Sequence, residues 1–133
     1  MTGVNLKVNF MKNADINYLY RGSAFHICEL VVDGKNLVKD FIKSELTKEE
    51  QKKILALLQR TADNGVHPSD QKFKLERDGI YVFKSFQTRI FCTFHAGRII
   101  LLTHGVKKKK DKADKADIER AIRLLEETGY KKG

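Results

Sequence analysis

Three side chains of this 133-residue chain have the types needed to work together on a phosphate: Lys84, Arg89 and His104. Arginine forks onto phosphate oxygens and stays charged at any working pH. Lysine adds a point charge and a transferable proton, and histidine titrates near neutrality and can act as base or acid. The spacing predicts that the three meet. Ile80–Ser85, Thr88–His95 and Arg98–His104 read as strands with short connectors, hence an antiparallel meander. If Phe86-Gln87 centres the first turn, Lys84 faces Arg89 and Val82 faces Phe91. If Ala96-Gly97, or a symmetric four-residue loop around it, centres the second, Arg89 faces His104, Phe91 faces Leu102 and Thr93 faces Ile100. Opposed residues share a face, so Lys84, Arg89 and His104 form one row at an end of the sheet. Val82, Phe91 and Leu102 then form an apolar strip below it. Tyr81, Phe83, Ile90, Cys92, Phe94, Ile99 and Leu101 form an uncharged opposite face that helices must cover.

The tract Lys107–Lys110 leaves the last strand beside His104 and brings further cations to the same end. Clustered cations repel one another unless an anion sits among them, which suits an RNA phosphate held by Lys107, Lys108 and Lys109. Each residue also has a plainer reading. The tract is then a solvated loop, Lys84 an exposed strand end, His104 a satisfied strand-end histidine, and Arg89 a salt-bridge partner of a helix.

The remaining elements must hold that sheet in place. FHICELVV at 25–32 is an apolar, β-branched run that reads as a buried strand, stopped by Asp33 and Gly34, with Asp33 placed to cap the next element. Leu37, Val38, Phe41, Ile42 and Leu46 recur at helical spacing over 35–46. Thr47 with Glu50 forms a capping box that opens a second helix, which ends near Asp63 with Gly65 as C-cap and Pro68 beyond. Ile118, Ala121, Ile122 and Leu125 mark a final helix ended by Gly129. The expected fold is α+β. A small, mostly antiparallel sheet, made of the meander plus an N-terminal strand, packs on an αα-hairpin, with a C-terminal helix. Residues 25–133 read as a single domain. Residues 1–24 are an extension in which LKVNF suggests an extra strand and MKNADINYLYRGS a connection.

Composition narrows the class. Charged residues are 32% and hydrophobic residues 41%, which excludes disordered and membrane-embedded chains. No apolar run reaches a membrane span and the start lacks a signal-peptide core, so the expectation is a cytoplasmic protein with no membrane partner. The net charge of +9 is uneven. Residues 1–66 carry ten basic and eight acidic side chains, whereas residues 67–133 carry sixteen and nine. A basic half points to a polyanion, most directly nucleic acid, although solubility alone also accounts for it. Cys28 and Cys92 read as reduced strand thiols, and His26, His67 and His95 as structural. HExxH, Cys/His clusters, P-loops and GxGxxG are all missing, so neither a metal nor a nucleotide cofactor is expected.

The segment GIYVFKSFQTRIFCTFHAGRIILLTHGVKKKKDKADKADIERAIRLLEE, residues 79–127, resembles the RelE/HigB superfamily of toxin–antitoxin toxins, in its phage-derived HigB-type branch. The shared pattern is a strand ending in Arg or Lys, a turn, an Arg early in the next strand and a Gly-containing hairpin. An apolar strand ending in His-Gly and a Lys-Lys stretch before the last helix complete it. VDGKNLVKDFIKSEL, residues 32–46, resembles the family's first helix, and the likeness runs over roughly 25–128. Thr88 stands where the family usually has an aromatic, and Lys84 where Arg is commoner. The resemblance implies a RelE-like fold and a ribosome-dependent mRNA endonuclease, neutralised by a cognate antitoxin, often of helix-turn-helix type. Its active-site positions fall on Lys84, Arg89 and Lys107–Lys108, with His104 beside them.

Metal-independent RNA cleavage needs help in deprotonating the 2′-hydroxyl, stabilising the phosphorane and protonating the leaving oxygen. Arg89 suits charge stabilisation, while His104 and Lys84 or Lys108 divide the proton transfers. Three further readings stand beside this one: a relative that inhibits DNA gyrase through protein contacts, a non-enzymatic basic nucleic-acid-binding module, and an inactive phage remnant. An acidic or amphipathic antitoxin segment is expected to lie over the apolar strip and the basic pocket.

Overall fold

The computed structural model describes residues 13–67, 70–108 and 114–130. Among the described residues the chain forms seven strands: β1 (Ala14–Arg21), β2 (His26–Val32), β3 (Lys35–Asn36), β4 (Phe73–Arg77), β5 (Ile80–Ser85), β6 (Thr88–His95) and β7 (Ile99–Lys107). Three helices accompany them: α1 (Leu37–Glu45), α2 (Lys48–Asn64) and α3 (Lys115–Thr128). The strands form one sheet in the order β1-β2-β7-β6-β5-β4, with β3 paired to β2. Every pairing is antiparallel except β2 with β7, which is parallel and joins the N-terminal hairpin to the meander.

Three strands lie where none was expected, and one of them, β3, takes the first two residues of the helix expected over 35–46. Residues 14–21, read as a connection, form the edge strand β1, antiparallel to β2, while LKVNF lies outside the described residues. β4 is the opposite edge, and Asp78-Gly79 joins it to β5 with both residues at positive φ (54° and 75°), the backbone of a type I′ hairpin turn. Asp33-Gly34 does the same between β2 and β3 (51° and 79°), so Asp33 is a turn residue and not a helix cap.

The helix α1 is capped from the sheet. Its N-cap, Asn36, makes no side-chain capping bond; the buried carboxylate of Glu29 on β2 accepts instead from the Val38 and Lys39 amides at 3.1 and 2.8 Å. The expected capping box of α2 is present. Thr47 Oγ1 accepts from the Glu50 amide at 3.1 Å, and Glu50 Oε1 accepts from the Thr47 amide at 2.9 Å. Gly65, at φ 85°, closes the helix by donating to the Thr61 carbonyl.

Both faces of the sheet are covered. Phe83, Ile90, Cys92 and Leu102 pack against Val38, Ile42, Ile54 and Leu57 of α1 and α2. Val82, Phe91 and Leu101 pack against Ile118, Ala121 and Leu125 of α3. The expected bare strip is therefore a second core: Val82 and Phe91 have no exposed surface, and Leu102 belongs to the other face. The physical cause is the β6–β7 connector. It has three residues, Ala96, Gly97 and Arg98, closed by His95 opposite Ile99, and an odd loop moves every side chain of the early part of β7 to the other face. Cys28 and Cys92 are free buried thiols, with burial pushing the Cys28 pKa up to about 11 and raising that of Cys92.

Candidate nucleic-acid interface

The first turn behaves as its residues imply. Phe86-Gln87 links β5 to β6, and Lys84 stands directly opposite Arg89. Lys84 is mostly sheltered, with Nζ 4.0 Å from a Glu76 carboxylate on β4. Arg89 is buried, and its Nη1 donates to the carbonyls of Phe86 and of Thr88, the latter at 3.1 Å. The guanidinium thus braces the turn that joins the two strands.

His104 is not in that row. A bulge at Thr103 slips the register between β6 and β7, so that His104 opposes Phe91 and Val106 opposes Arg89. The imidazole stays on the face of Lys84 and Arg89, one step further along the sheet, stacked on the Phe91 ring at 4.9 Å with an interplanar angle of 8°. Thr103 Oγ1 donates its single proton to the Phe91 carbonyl at 3.1 Å. It must therefore accept from His104 Nδ1–H, 3.2 Å away, which fixes the tautomer. Nε2 is then a bare lone pair, buried without a hydrogen-bond partner. Burial first, then the cations Arg120 and Arg123 of α3, lower the pKa of His104 to about 3. The histidine expected to titrate near the working pH is instead a neutral imidazole held against protonation in the folded chain.

The basic tract divides between the two faces. Lys107, opposite Thr88, reaches Glu50 at the start of α2 at 3.1 Å, and that contact helps to lower the Glu50 pKa after the Thr47 amide bond. Lys108 turns the other way, onto Asp114 and, at 3.4 Å, Asp117 at the start of α3. The Asp114 bond is the main cause of its raised pKa. Its amide donates to the Gln87 carbonyl at 2.8 Å, tying the tract to the β5–β6 turn. Lys109 lies outside the described residues. The structure therefore brings Lys84 and Arg89 together, keeps His104 near them but sealed, and uses Lys107 and Lys108 to anchor α2 and α3.

In the sequence Glu50 reads only as half of a capping box, and Asp114 and Asp117 are not singled out, although two aspartates at the head of an amphipathic helix, just after a lysine run, are a readable signal. Among the described residues no group of three or more His, Cys, Asp or Glu side chains could hold a metal ion, and no helix is long and apolar enough to cross a membrane.

A mixed sheet covered by helices on both faces, with a cationic strand pair braced at one hairpin, defines a basic α+β domain. The chain belongs to the family described as phage derived protein Gp49-like (DUF891), whose match covers residues 41–126. That span begins inside α1 and ends inside α3, so it contains the cationic strands and leaves out β1, β2 and β3. A search of curated proteins finds no relative.

Proposed function

We propose that this protein is the toxin of a toxin–antitoxin pair, related to the RelE/HigB toxins, and that it cuts mRNA on the ribosome without a metal. The observation that carries this reading is the pair Lys84 and Arg89, directly opposed on adjacent strands of a strongly basic domain. Membership of a phage-derived family and the order of elements after residue 79 agree with it. In the reaction the 2′-hydroxyl attacks the adjacent phosphorus. Arg89 stabilises the added charge, and Lys84 delivers a proton to the leaving 5′-oxygen. His104 Nε2 is the base once the ribosome-bound form uncovers it and lets its pKa return towards the ordinary histidine range. That lone pair is covered in the free chain, so cleavage belongs to the ribosome-bound form and naked RNA is left intact. Lys107, Lys108 and Lys109 steer the RNA backbone. A cognate antitoxin of helix-turn-helix type neutralises the protein by laying an acidic segment over Lys84 and the lysine tract.

A second reading, a basic binding module without catalysis, is favoured by one observation: His104 is only 2% exposed. Induced expression of wild type, Lys84→Ala, Arg89→Lys and His104→Ala in a bacterial host, with transcript 5′ ends mapped in parallel, separates the two. Growth arrest with new cuts inside translated messages, lost in variants that remain folded, supports the nuclease. Arrest without cuts, or equal toxicity in all variants, overturns it in favour of a non-nucleolytic toxin. Absence of arrest in wild type points to the binding module.

A further inference from the structure

The tip of the β5–β6 hairpin carries a second cationic feature, on the α2 side of the sheet. An open cavity of about 300 Å³ is lined by Lys53, Ala56, Leu57 and Arg60 of α2, by Lys72, and by Ser85 and Phe86. Its lining offers three cations and no carboxylate. Phe86 is 75% exposed, and Lys53 Nζ lies 5.3 Å from its ring centre. The lysine and arginine of α2 are held by exposed pairs, Lys53 with Glu49 at 3.7 Å and Arg60 with Asp70 at 3.2 Å. Such pairs are weak in water and yield readily to a phosphate.

Phe86 is an odd residue for its place. It sits at φ 54° as the first of two turn residues, where hairpins ordinarily use glycine. A bulky side chain there is strained, and its ring is mostly in water, so neither the backbone nor burial favours phenylalanine. Residues kept against both preferences cluster at binding sites. The backbone carbonyl of the same residue accepts from Arg89, so the turn that carries the ring is tied to the Lys84–Arg89 strand pair.

We infer that this cavity is a nucleotide subsite for single-stranded RNA, with one base stacked on Phe86 and its flanking phosphates held by Lys53, Arg60 and Lys72. A flat ring flanked by cations is the chemistry of single-strand binding, in which stacking tolerates any base and the cations follow the backbone. The volume lies at the lower end of the range for small-ligand pockets. The subsite rests on the RNA-directed reading above and deepens it. The strand that reaches Lys84 and Arg89 passes round the hairpin tip and is gripped on the α2 side, so duplex RNA, whose bases are already stacked, is not held there.

The test is binding, not cleavage. Fluorescence anisotropy of the full chain is measured with a short labelled oligouridylate carrying 2′-O-methyl groups, which cannot be cut, and with a duplex of equal length. Phe86→Ala and Phe86→Gly should weaken single-strand binding by about tenfold or more, while Phe86→Trp retains it. Phe86→Gly also relieves the backbone, so its melting temperature should equal or exceed that of wild type, and a loss of affinity there is not a loss of fold. The triple variant Lys53→Ala/Arg60→Ala/Lys72→Ala should flatten the slope of log K against log salt by about 2. Wild-type affinity in Phe86→Gly overturns the inference, as does a ring that matters for a poly-glutamate peptide and not for RNA. Phe86-dependent binding in a protein that never cuts RNA would sink the nuclease reading and leave the subsite standing. Ribosome-dependent cuts that ignore Phe86 would do the reverse.

Discussion

Glu29 is a carboxylate with no exposed surface in a strand surrounded by apolar side chains, and it is kept there by its bonds. One oxygen caps α1 and the other accepts from the Asn17 amide of β1 at 2.9 Å, so a single residue joins edge strand, inner strand and helix. Glu29→Ala should cost about 2 to 3 kcal/mol in urea unfolding, because it strands two helix amides and a side-chain amide. A loss below about 0.5 kcal/mol would show that water replaces the cap. His104 has the opposite character, a base kept neutral by burial and by Arg120 and Arg123. Its folded pKa of about 3 lies below the unfolded value near 6.5, so protons bind the unfolded chain first. The stability it contributes is whole above pH about 6.5 and falls by about 1.4 kcal/mol per unit as the pH drops towards 3. Between pH 7 and 5 wild type should lose about 2 kcal/mol that His104→Gln does not lose. Equal losses in the two proteins would place the acid sensitivity elsewhere. The thiols of Cys28 and Cys92, raised by burial, should react with a disulfide reagent only on unfolding.

At the scale of elements, β7 carries two local irregularities, the Thr103 bulge and the close approach of Gly105 to α1. A Cβ at Gly105 would meet the Phe41 ring at 2.4 Å, and one at Gly22 would meet the Ala62 backbone at 2.4 Å. A ring on a half-buried helix residue can swing aside, whereas helix backbone cannot. Gly22→Ala should therefore destabilise more than Gly105→Ala, by at least about 1 kcal/mol in chemical denaturation. The reverse order would mean that Phe41 is locked. The same contrast explains what the sequence made legible. α2 could be read because its capping box and C-cap glycine are local, and β5 and β6 because short apolar runs flank a two-residue turn. The Lys84–Arg89 pairing followed from that turn alone. β4 was readable and missed: Phe73 and Leu75 alternate with Lys74 and Glu76 just before Asp78-Gly79, a hairpin signal as plain as Asp33-Gly34. β1 gave a weaker signal: Ile16, Tyr18 and Tyr20 alternate, but Leu19 breaks the polar side of the pattern and the strand is only half-buried. The position of His104 could not be read, because it depends on a three-residue loop and on a bulge held by a hydroxyl-to-carbonyl bond.

Taken whole, the molecule depends on the parallel pairing of β2 with β7, from His26 beside Ile99 to Glu29 beside Leu102. Without it the β1–β2 hairpin would detach from the sheet that carries Lys84 and Arg89. β1 covers the outer edge of β2, and the turn after it is fixed to α2 by Tyr20 and the Ser23 amide on Asp63 at 2.7 and 3.2 Å. Removal of residues 1–24 should therefore give an aggregating or unfolded product, seen as loss of the cooperative melt. A deletion variant that melts like wild type would show that the edge strand is dispensable. The parallel joint also orders events during synthesis. Strands about seventy residues apart cannot pair until the later one exists. At typical elongation rates of roughly 5 to 20 residues per second, β2 waits about 4 to 15 seconds for its neighbour. Until translation has passed β7, the nascent chain exposes the inner edge of β2, which a chaperone, or the antitoxin proposed above, can bind before the chain is complete.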